Sequence, residues 1–423
     1  MRWLACELHT HTLHSDGSQT LEELARGAVG LGFDAIALTD HNTMSGLVGK
    51  EEIERQTGLR ILPGMEWTTF YGHMVTIGLS EYADWRQAER GGIDEGIEDV
   101  HRFGGLAGLA HPFRIGSPAC TGCFWEYEIG DWNAVDYIEV WSGTSPSIRT
   151  DNRRAFELWT DKLNEGYRLA ATSGRDWHNQ NATDEPISVT YLGIEESQAV
   201  EEQEGVGQRS GGAAGREAGL LLPRKVRTES ETEALIRALR QGRASVTIGP
   251  LLTMTVESGG RSYGIGSAIP AAAEEPISAV SQAAGKSAAE SLSDSAADSL
   301  RNPPSIRVHL TLDFSVRSGL WSLPEQALRL KLCSERGEER TLEVLTPTPD
   351  GRTAERLDGD GDAAALSPVR LAVELPAVSE ADPASRSSRR WLRAELWGTA
   401  RGAYVRIAFT NAIYFDAPEG ANC

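Results

Sequence analysis

Trp3-Leu-Ala-Cys-Glu-Leu-His-Thr-His11 is an apolar run that ends in two histidines two residues apart. Alternate side chains of an extended strand point to one face, so His9 and His11 can address a single cation. Neutral imidazole nitrogen and carboxylate oxygen are the usual ligands of zinc, manganese and iron. The pattern repeats outward from this stretch. Asp16 follows in the turn Ser15-Asp-Gly17, His41 closes Thr39-Asp-His-Asn42, and Glu66 closes Pro63-Gly-Met-Glu66. His73 follows Tyr71-Gly72, and His111 sits in Ala110-His-Pro112, where the proline holds it at a strand-to-loop corner. Asp176 and His178 share Arg175-Asp-Trp-His178, again with two-residue spacing. Six of the nine histidines therefore fall in five short cassettes, which predicts a multinuclear metal hydrolase. His14, His101 and His309 are left as ordinary solvent-facing or hydrogen-bonded side chains.

The runs that carry the cassettes also predict the fold. Trp3–Leu8, Ala35–Leu38, Leu59–Leu62, Met74–Leu79, Leu106–Ala110, Val135–Trp141 and Arg168–Ala171 read as buried strands. Between the first two, Thr20 and Glu23 form a capping box for a helix with Leu21, Leu24, Ala25, Ala28 and Leu31 on one face. Further helices are expected at 94–103, 149–165 and 229–241, the last leading into a strand at Ala244–Ile248. Strand–helix alternation predicts an α/β fold with parallel strands. If the strands close into a barrel, their C-terminal ends share one rim, where chemistry is usually placed.

At 423 residues the chain suggests two domains, divided here as 1–255 and 256–423. Glu195–Gly219 reads as a solvated insertion and Ala271–Ser305 as an Ala/Ser/Glu linker tract. Beyond it, Ile306–Leu312, Ala327–Leu332, Val369–Leu375, Trp391–Trp397 and Ala403–Phe409 alternate as strands, predicting a small antiparallel β domain, most simply a sandwich. No run of about eighteen apolar residues is present, so no membrane partner is expected. Met1 leads straight into the first cassette with no room for a signal peptide, and a cytoplasmic location is expected. A net charge of −20 argues against an extended nucleic-acid surface. Five cysteines are too few and too uneven for a disulfide framework, and Cys120-Thr-Gly-Cys123 stands without a second pair.

The series His9-Thr-His11, Ser15-Asp16-Gly17, Leu38-Thr-Asp-His41-Asn42-Thr43, Gly64-Met-Glu66, His73, Ala110-His111-Pro112 and Asp176-Trp-His178 resembles the PHP (polymerase and histidinol phosphatase) metallohydrolases over about residues 5–180. Ser173-Gly-Arg-Asp-Trp-His178, the β-rich tail and Thr410-Asn-Ala-Ile-Tyr414 resemble the branch that includes carbaryl hydrolases. The resemblance implies a distorted (β/α)7 barrel holding two or three divalent ions. It places His9, His11, Glu66 and Asp176 on a first ion. Glu66, shared with the first, joins His73 and His111 on a second, and Asp16, His41 and His178 take a third.

Clustered cations lower the pKa of a shared water and absorb transition-state charge. The expected activity is hydrolysis of a small phosphate ester, a nucleotide among the candidates, by a metal-bridging hydroxide. Asp176 or His178 would shuttle the leaving-group proton, and Arg114 or Arg175 would contact phosphate. Glu139 is a candidate for orienting a histidine from behind. Two rival readings stand beside this one. A carboxylic or carbamic ester hydrolase would use the same ions without needing cationic side chains in the pocket. A non-catalytic module would hold its metals in closed, structural sites. Natural substrate, metal identity and oligomeric state are not encoded legibly.

Overall fold

The structure is a computed structural model describing residues 1–116, 122–195, 229–270, 305–347, 368–376 and 389–416. Cys120, residues 196–219 of the expected insertion and residues 271–304 of the expected linker lie outside the described residues.

The first half runs β1 (Arg2–Thr10), α1 (Leu21–Gly30), β2 (Ala35–Leu38), α2 (Lys50–Thr57), β3 (Arg60–Thr69), β4 (Gly72–Ile77), α3 (Ile93–Arg102), β5 (Leu106–Leu109), β6 (Tyr137–Ser142), α4 (Thr150–Glu165), β7 (Ala170–Gly174), β8 (Val189–Ile194), α5 (Glu231–Arg240) and β9 (Ala244–Thr247). α1 begins at the expected capping box: Thr20 accepts from the Glu23 N–H, and Glu23 reaches back to the Thr20 N–H. Leu24, Ala25 and Ala28 of this helix are fully buried. The strands are buried on both faces, which is why they read as unbroken apolar runs.

These strands form one mixed sheet in the order β9-β8-β1-β2-β3-β4-β5-β6-β7. β1–β2–β3 and β5–β6–β7 are parallel, but β4 returns antiparallel against both β3 and β5. The expected parallel strands are therefore interrupted at β4. β3 and β4 are joined by the two-residue turn Phe70-Tyr71, too short for the crossover that a parallel pair requires. β1 also pairs antiparallel with β8 on its other side. The sheet has no continuous ladder between β7 and β1. The two meet through a single bridge, with the Trp177 N–H donating to His9 O at 3.0 Å and the His11 N–H to Trp177 O at 2.9 Å.

The second half contributes β10 (Leu251–Ser258), β11 (Arg261–Gly264), β12 (Ala268–Ile269), β13 (Ser305–Asp313), β14 (Ala327–Ser334), β15 (Gly337–Leu345), β16 (Val369–Pro376), β17 (Trp391–Ala400), β18 (Ala403–Thr410) and β19 (Ile413–Phe415). β11-β10-β13-β16 make a separate antiparallel sheet. β18, by contrast, pairs with β9, so β17, β14 and β15 continue the sheet of the first half. The boundary drawn after residue 255 falls inside β10. The tail packs on α4 as well. Phe409 meets Trp141, Phe156 and Trp159 with ring centroids 5.1, 5.0 and 5.8 Å away. Buried Glu395 accepts from Arg393 at 2.9 Å and Arg406 at 3.0 Å, and both guanidiniums stack on Phe156.

Candidate metal centre

All nine side chains expected to be ligands converge at the C-terminal ends of β1, β2, β3, β5 and β7 and the start of β4. Three groups each place their ligand atoms within 4.8 Å of one another: His9, His11, Glu66 and Asp176; Glu66, His73 and His111; and His11, Asp16, His41 and His178. Glu66 is shared between the first two and lies fully buried. Its Oε2 is 3.2 Å from His9 Nε2, 3.5 Å from His11 Nε2 and 2.9 Å from His41 Nδ1, while its Oε1 is 3.0 Å from His73 Nδ1 and 3.3 Å from His111 Nε2. Asp176 Oδ1 lies 3.4 Å from His9 Nε2 and 3.0 Å from His11 Nε2. On the solvent side, Asp16 Oδ1 sits 3.3 Å from His41 Nε2 and 3.0 Å from His178 Nε2. Asp16 is exposed, whereas the other two groups are largely buried.

The backbone works to present these groups. His111 and Asp176 both take positive φ, 30° and 55°, a conformation that costs a non-glycine residue energy and concentrates at functional sites. Asn42, with φ 56°, brackets Thr68 by two 2.9 Å hydrogen bonds and so fixes the loop that carries His41. Thr68 Oγ1 in turn contacts His41 Nδ1. Asp40 stays outside the cluster, accepting from the Thr12 N–H and hydroxyl at 2.7 Å each and from Ser15 at 2.7 Å.

Several buried ligand-type atoms have no protein hydrogen-bond partner: His9 Nε2, both His11 nitrogens, Glu66 Oε2, His73 Nε2 and Asp176 Oδ1. Leaving so many polar atoms unpaired is costly, and divalent cations seated in the three groups would satisfy them. The donor set of imidazoles and carboxylates suits such ions. Burial, the largest influence, opposes ionisation of Glu66. The imidazoles of His9, His73 and His41 outweigh it and hold the carboxyl well below its ordinary range. Asp176 is likewise kept ionised against burial by His9, His11 and Arg114. Burial lowers the pKa of His11 and His111, favouring the neutral imidazole a cation needs.

Glu139 Oε2 lies 2.7 Å from His9 Nδ1, so it fixes the imidazole whose Nε2 faces the cluster. Of the two arginines expected to meet substrate, Arg114 pairs with Asp176 Oδ2 and donates to Ser142 at the edge of the centre. Arg149 Nη1 approaches the same glycine, Gly143, that Arg114 Nη2 borders. Arg175 instead stacks on Trp177, 4.7 Å from the ring. His14 bonds Ser45, His101 pairs with Asp136 and His309 with Glu257, all outside the three groups. Glu7 was not singled out by sequence reasoning. It is buried and accepts from the His9 N–H at 3.1 Å and the Arg175 N–H at 2.8 Å, and burial pushes its pKa up to about 7. Its place in Glu7-Leu-His9, with its side chain on the histidine face, was the only available signal.

Residues 7–111 match the PHP domain family, a stretch that contains seven of the nine side chains and stops short of Asp176 and His178. An uncharacterized protein of Methanocaldococcus jannaschii is 29% identical over 129 residues, 28% of this chain and 71% of that one. A phosphoribosyl 1,2-cyclic phosphate 1,2-diphosphodiesterase of Eggerthella lenta is 30% identical over 83 residues, 18% of this chain and 32% of the enzyme. A 5′-3′ exoribonuclease of Salmonella typhimurium is 32% identical over 119 residues, 24% and 41% of the two chains. The chain thus spans less than half the length of either enzyme. A solved two-domain protein of Bacteroides vulgatus containing a predicted PHP-like metal-dependent phosphoesterase shares 15% identity, covering 88% of this chain and 95% of that one, with a TM-score of 0.41. The matches lend no support to the carbaryl-hydrolase branch.

Proposed function

We propose that the chain is a metal-dependent phosphoesterase acting on a small phosphate ester, with nucleotides foremost among the candidates. The observation that carries this reading is the set of buried, unpartnered imidazole and carboxylate atoms converging from separate strand ends. Zinc, manganese or iron would be held by His9, His11, Glu66 and Asp176, by Glu66, His73 and His111, and by Asp16, His41 and His178 with His11. Bound there, the cations would supply an acidified water and offset charge on phosphoryl oxygens. The names of the Eggerthella and Salmonella relatives support phosphorus over carbon as the electrophile.

The side chains of this protein do the rest. Glu139 orients His9 from behind. Arg114, tied to Asp176 beside the centre, offers a guanidinium to a substrate phosphate, and Arg149, itself paired with Asp151, borders the same side of Gly143. This cationic edge favours a charged ester over a neutral carbamate. Asp176 or His178, the latter on the exposed side, would hand a proton to the leaving oxygen. The pairing of β1 through β7 is read as the distorted barrel, residues 1–255 as the metallohydrolase unit, the tail as an accessory β region, and the compartment as the cytoplasm.

The test is p-nitrophenol release from p-nitrophenyl phosphate and p-nitrophenyl acetate, with manganese- or zinc-reconstituted and chelated protein. Metal-dependent cleavage of the phosphate is expected, falling at least about a hundredfold in Asp176→Ala and His178→Ala. Cleavage of the acetate alone, or turnover unchanged in both variants, overturns the reading.

A further inference from the structure

β7 is the terminal strand of its sheet, and one of its edges faces the gap where the sheet lacks a ladder. On the other edge, Ala170 N–H donates to Asp136 O and Gly174 O accepts from the Gly143 N–H, so the even-numbered residues face β6. The odd-numbered residues therefore turn their backbone groups into the gap. Unpaired there, each N–H and C=O would carry the cost of a buried orphan.

Both groups of Ala171, Ser173 and Trp177 and the N–H of Arg175 are met in turn, mostly by a side chain. Ala171 N–H donates to Asn411 Oδ1 at 2.6 Å, and Ala171 O accepts from Asn411 Nδ2 at 2.9 Å. Asn411 Nδ2 also reaches Ala244 O at 3.1 Å, so a carboxamide from the tail imitates a strand between β7 and β9. Ser173 N–H donates to Thr190 Oγ1 at 2.8 Å, and the same hydroxyl donates to Ser173 O at 3.1 Å. Arg175 N–H donates to Glu7 Oε1 at 2.8 Å. Only at Trp177 does β1 backbone take over. Residues 171, 173, 175 and 177 are thus stitched by Asn411, Thr190, Glu7 and finally the main chain of His9 and His11. Asp176 and His178 are carried on this edge.

We propose that Asn411 and Thr190 are positioning residues for the metal centre: by closing the seam with side chains, they set the height and tilt of β7 and hence of Asp176 and His178. The inference rests on the metal-centre reading above. It makes the β-rich tail part of the centre without contributing a ligand. Glu66, His73 and His111 come from β3, β4 and the end of β5 and do not depend on the seam.

That asymmetry gives the test. Manganese and zinc are titrated by calorimetry into the metal-stripped full-length chain, comparing wild type with Asn411→Ala, Thr190→Val and Thr190→Ser. Asp176→Ala and His73→Ala serve as references for loss of each side of the centre. In Asn411→Ala and Thr190→Val, the ions that depend on Asp176 and His178 should weaken about 10–100-fold, the usual effect of removing a group behind a ligand. The ion assigned to Glu66, His73 and His111 should keep its affinity within about threefold, and Thr190→Ser, which retains the hydroxyl, should restore wild-type titration. The seam variants then resemble Asp176→Ala and not His73→Ala. Wild-type affinities in both Asn411→Ala and Thr190→Val would overturn the inference, as would equal weakening of every ion. Should Asn411→Ala fail to fold, the near-isosteric Thr190→Val decides the matter. A wild-type chain that binds no ion would instead defeat the functional reading on which the inference stands.

Discussion

Gly174 ends β7 with its Cα pressed against the metal centre. A Cβ built there would lie 2.4 Å from His9 Cβ and 2.8 Å from Glu139 Oε2, closer than atoms can approach. Neither neighbour is free to yield, since the two are joined by the 2.7 Å bond that fixes the imidazole. Gly174→Ala should therefore displace His9 and weaken binding of the first ion by roughly tenfold or more. Metal content by mass spectrometry after dialysis checks this, and full retention would show that the strand can shift to make room. At this scale much of the candidate site was legible, because histidines at strand ends carry an obvious chemical signature and the fold brings their ligand atoms together. Asn411 and Thr190 were not legible as partners of β7. They bind backbone, and nothing in an asparagine or a threonine announces which strand it will meet.

Elements show the same division between what a pattern encodes and what packing decides. The capping box of α1 was readable from Thr20 and Glu23 alone, and Thr20→Ala should cost about 1 kcal/mol of stability. In a chain of this size that lowers the melting temperature by a few degrees while leaving metal affinity untouched; an altered affinity would mean that α1 bears on the site directly. α2 was not foreseen, because Lys50-Glu-Glu-Ile-Glu-Arg-Gln-Thr57 has no buried residue to set a period. β15 was missed for a related reason. It pairs with β14 alone, and Gly337-Glu-Glu-Arg-Thr-Leu-Glu-Val-Leu345 is mostly exposed along its length. The apolar run of β4 was found, but an apolar run does not say which way it points. Direction came from the Phe70-Tyr71 turn.

For the molecule as a whole, the tail is bound into the first half by strand pairing, by aromatic packing on α4 and by the buried Arg393–Glu395–Arg406 group. The expected self-contained sandwich is realised only in part, since one of its sheets is the continuation of the other half's own. Burial raises the Glu395 pKa, but Arg406 and Arg393 overcome it and bring the carboxyl down to about 2 from an ordinary 4.5. A folded-state pKa below the unfolded one contributes stability at higher pH that is lost as pH falls. The contribution of Glu395 is thus complete above about pH 4.5 and disappears on the way down to about 2. Urea unfolding of the metal-stripped protein should show wild type more stable than Glu395→Gln at pH 6, by a few kcal/mol. The difference should shrink below pH 4.5, and a gap independent of pH would assign the loss to packing instead.

The carboxamide that holds Ala171 also sets a timetable for synthesis. Every candidate ligand has left the ribosome by the time His178 has, yet the seam stays open until Asn411 follows, roughly 10–50 s later at ordinary rates of translation. A nascent chain in that interval owns all the imidazoles and carboxylates of the centre but has no fixed place for two of them. Capture of the ions that rely on Asp176 and His178 would thereby be deferred until residue 411 has been made, whereas the Glu66, His73 and His111 group can assemble before it.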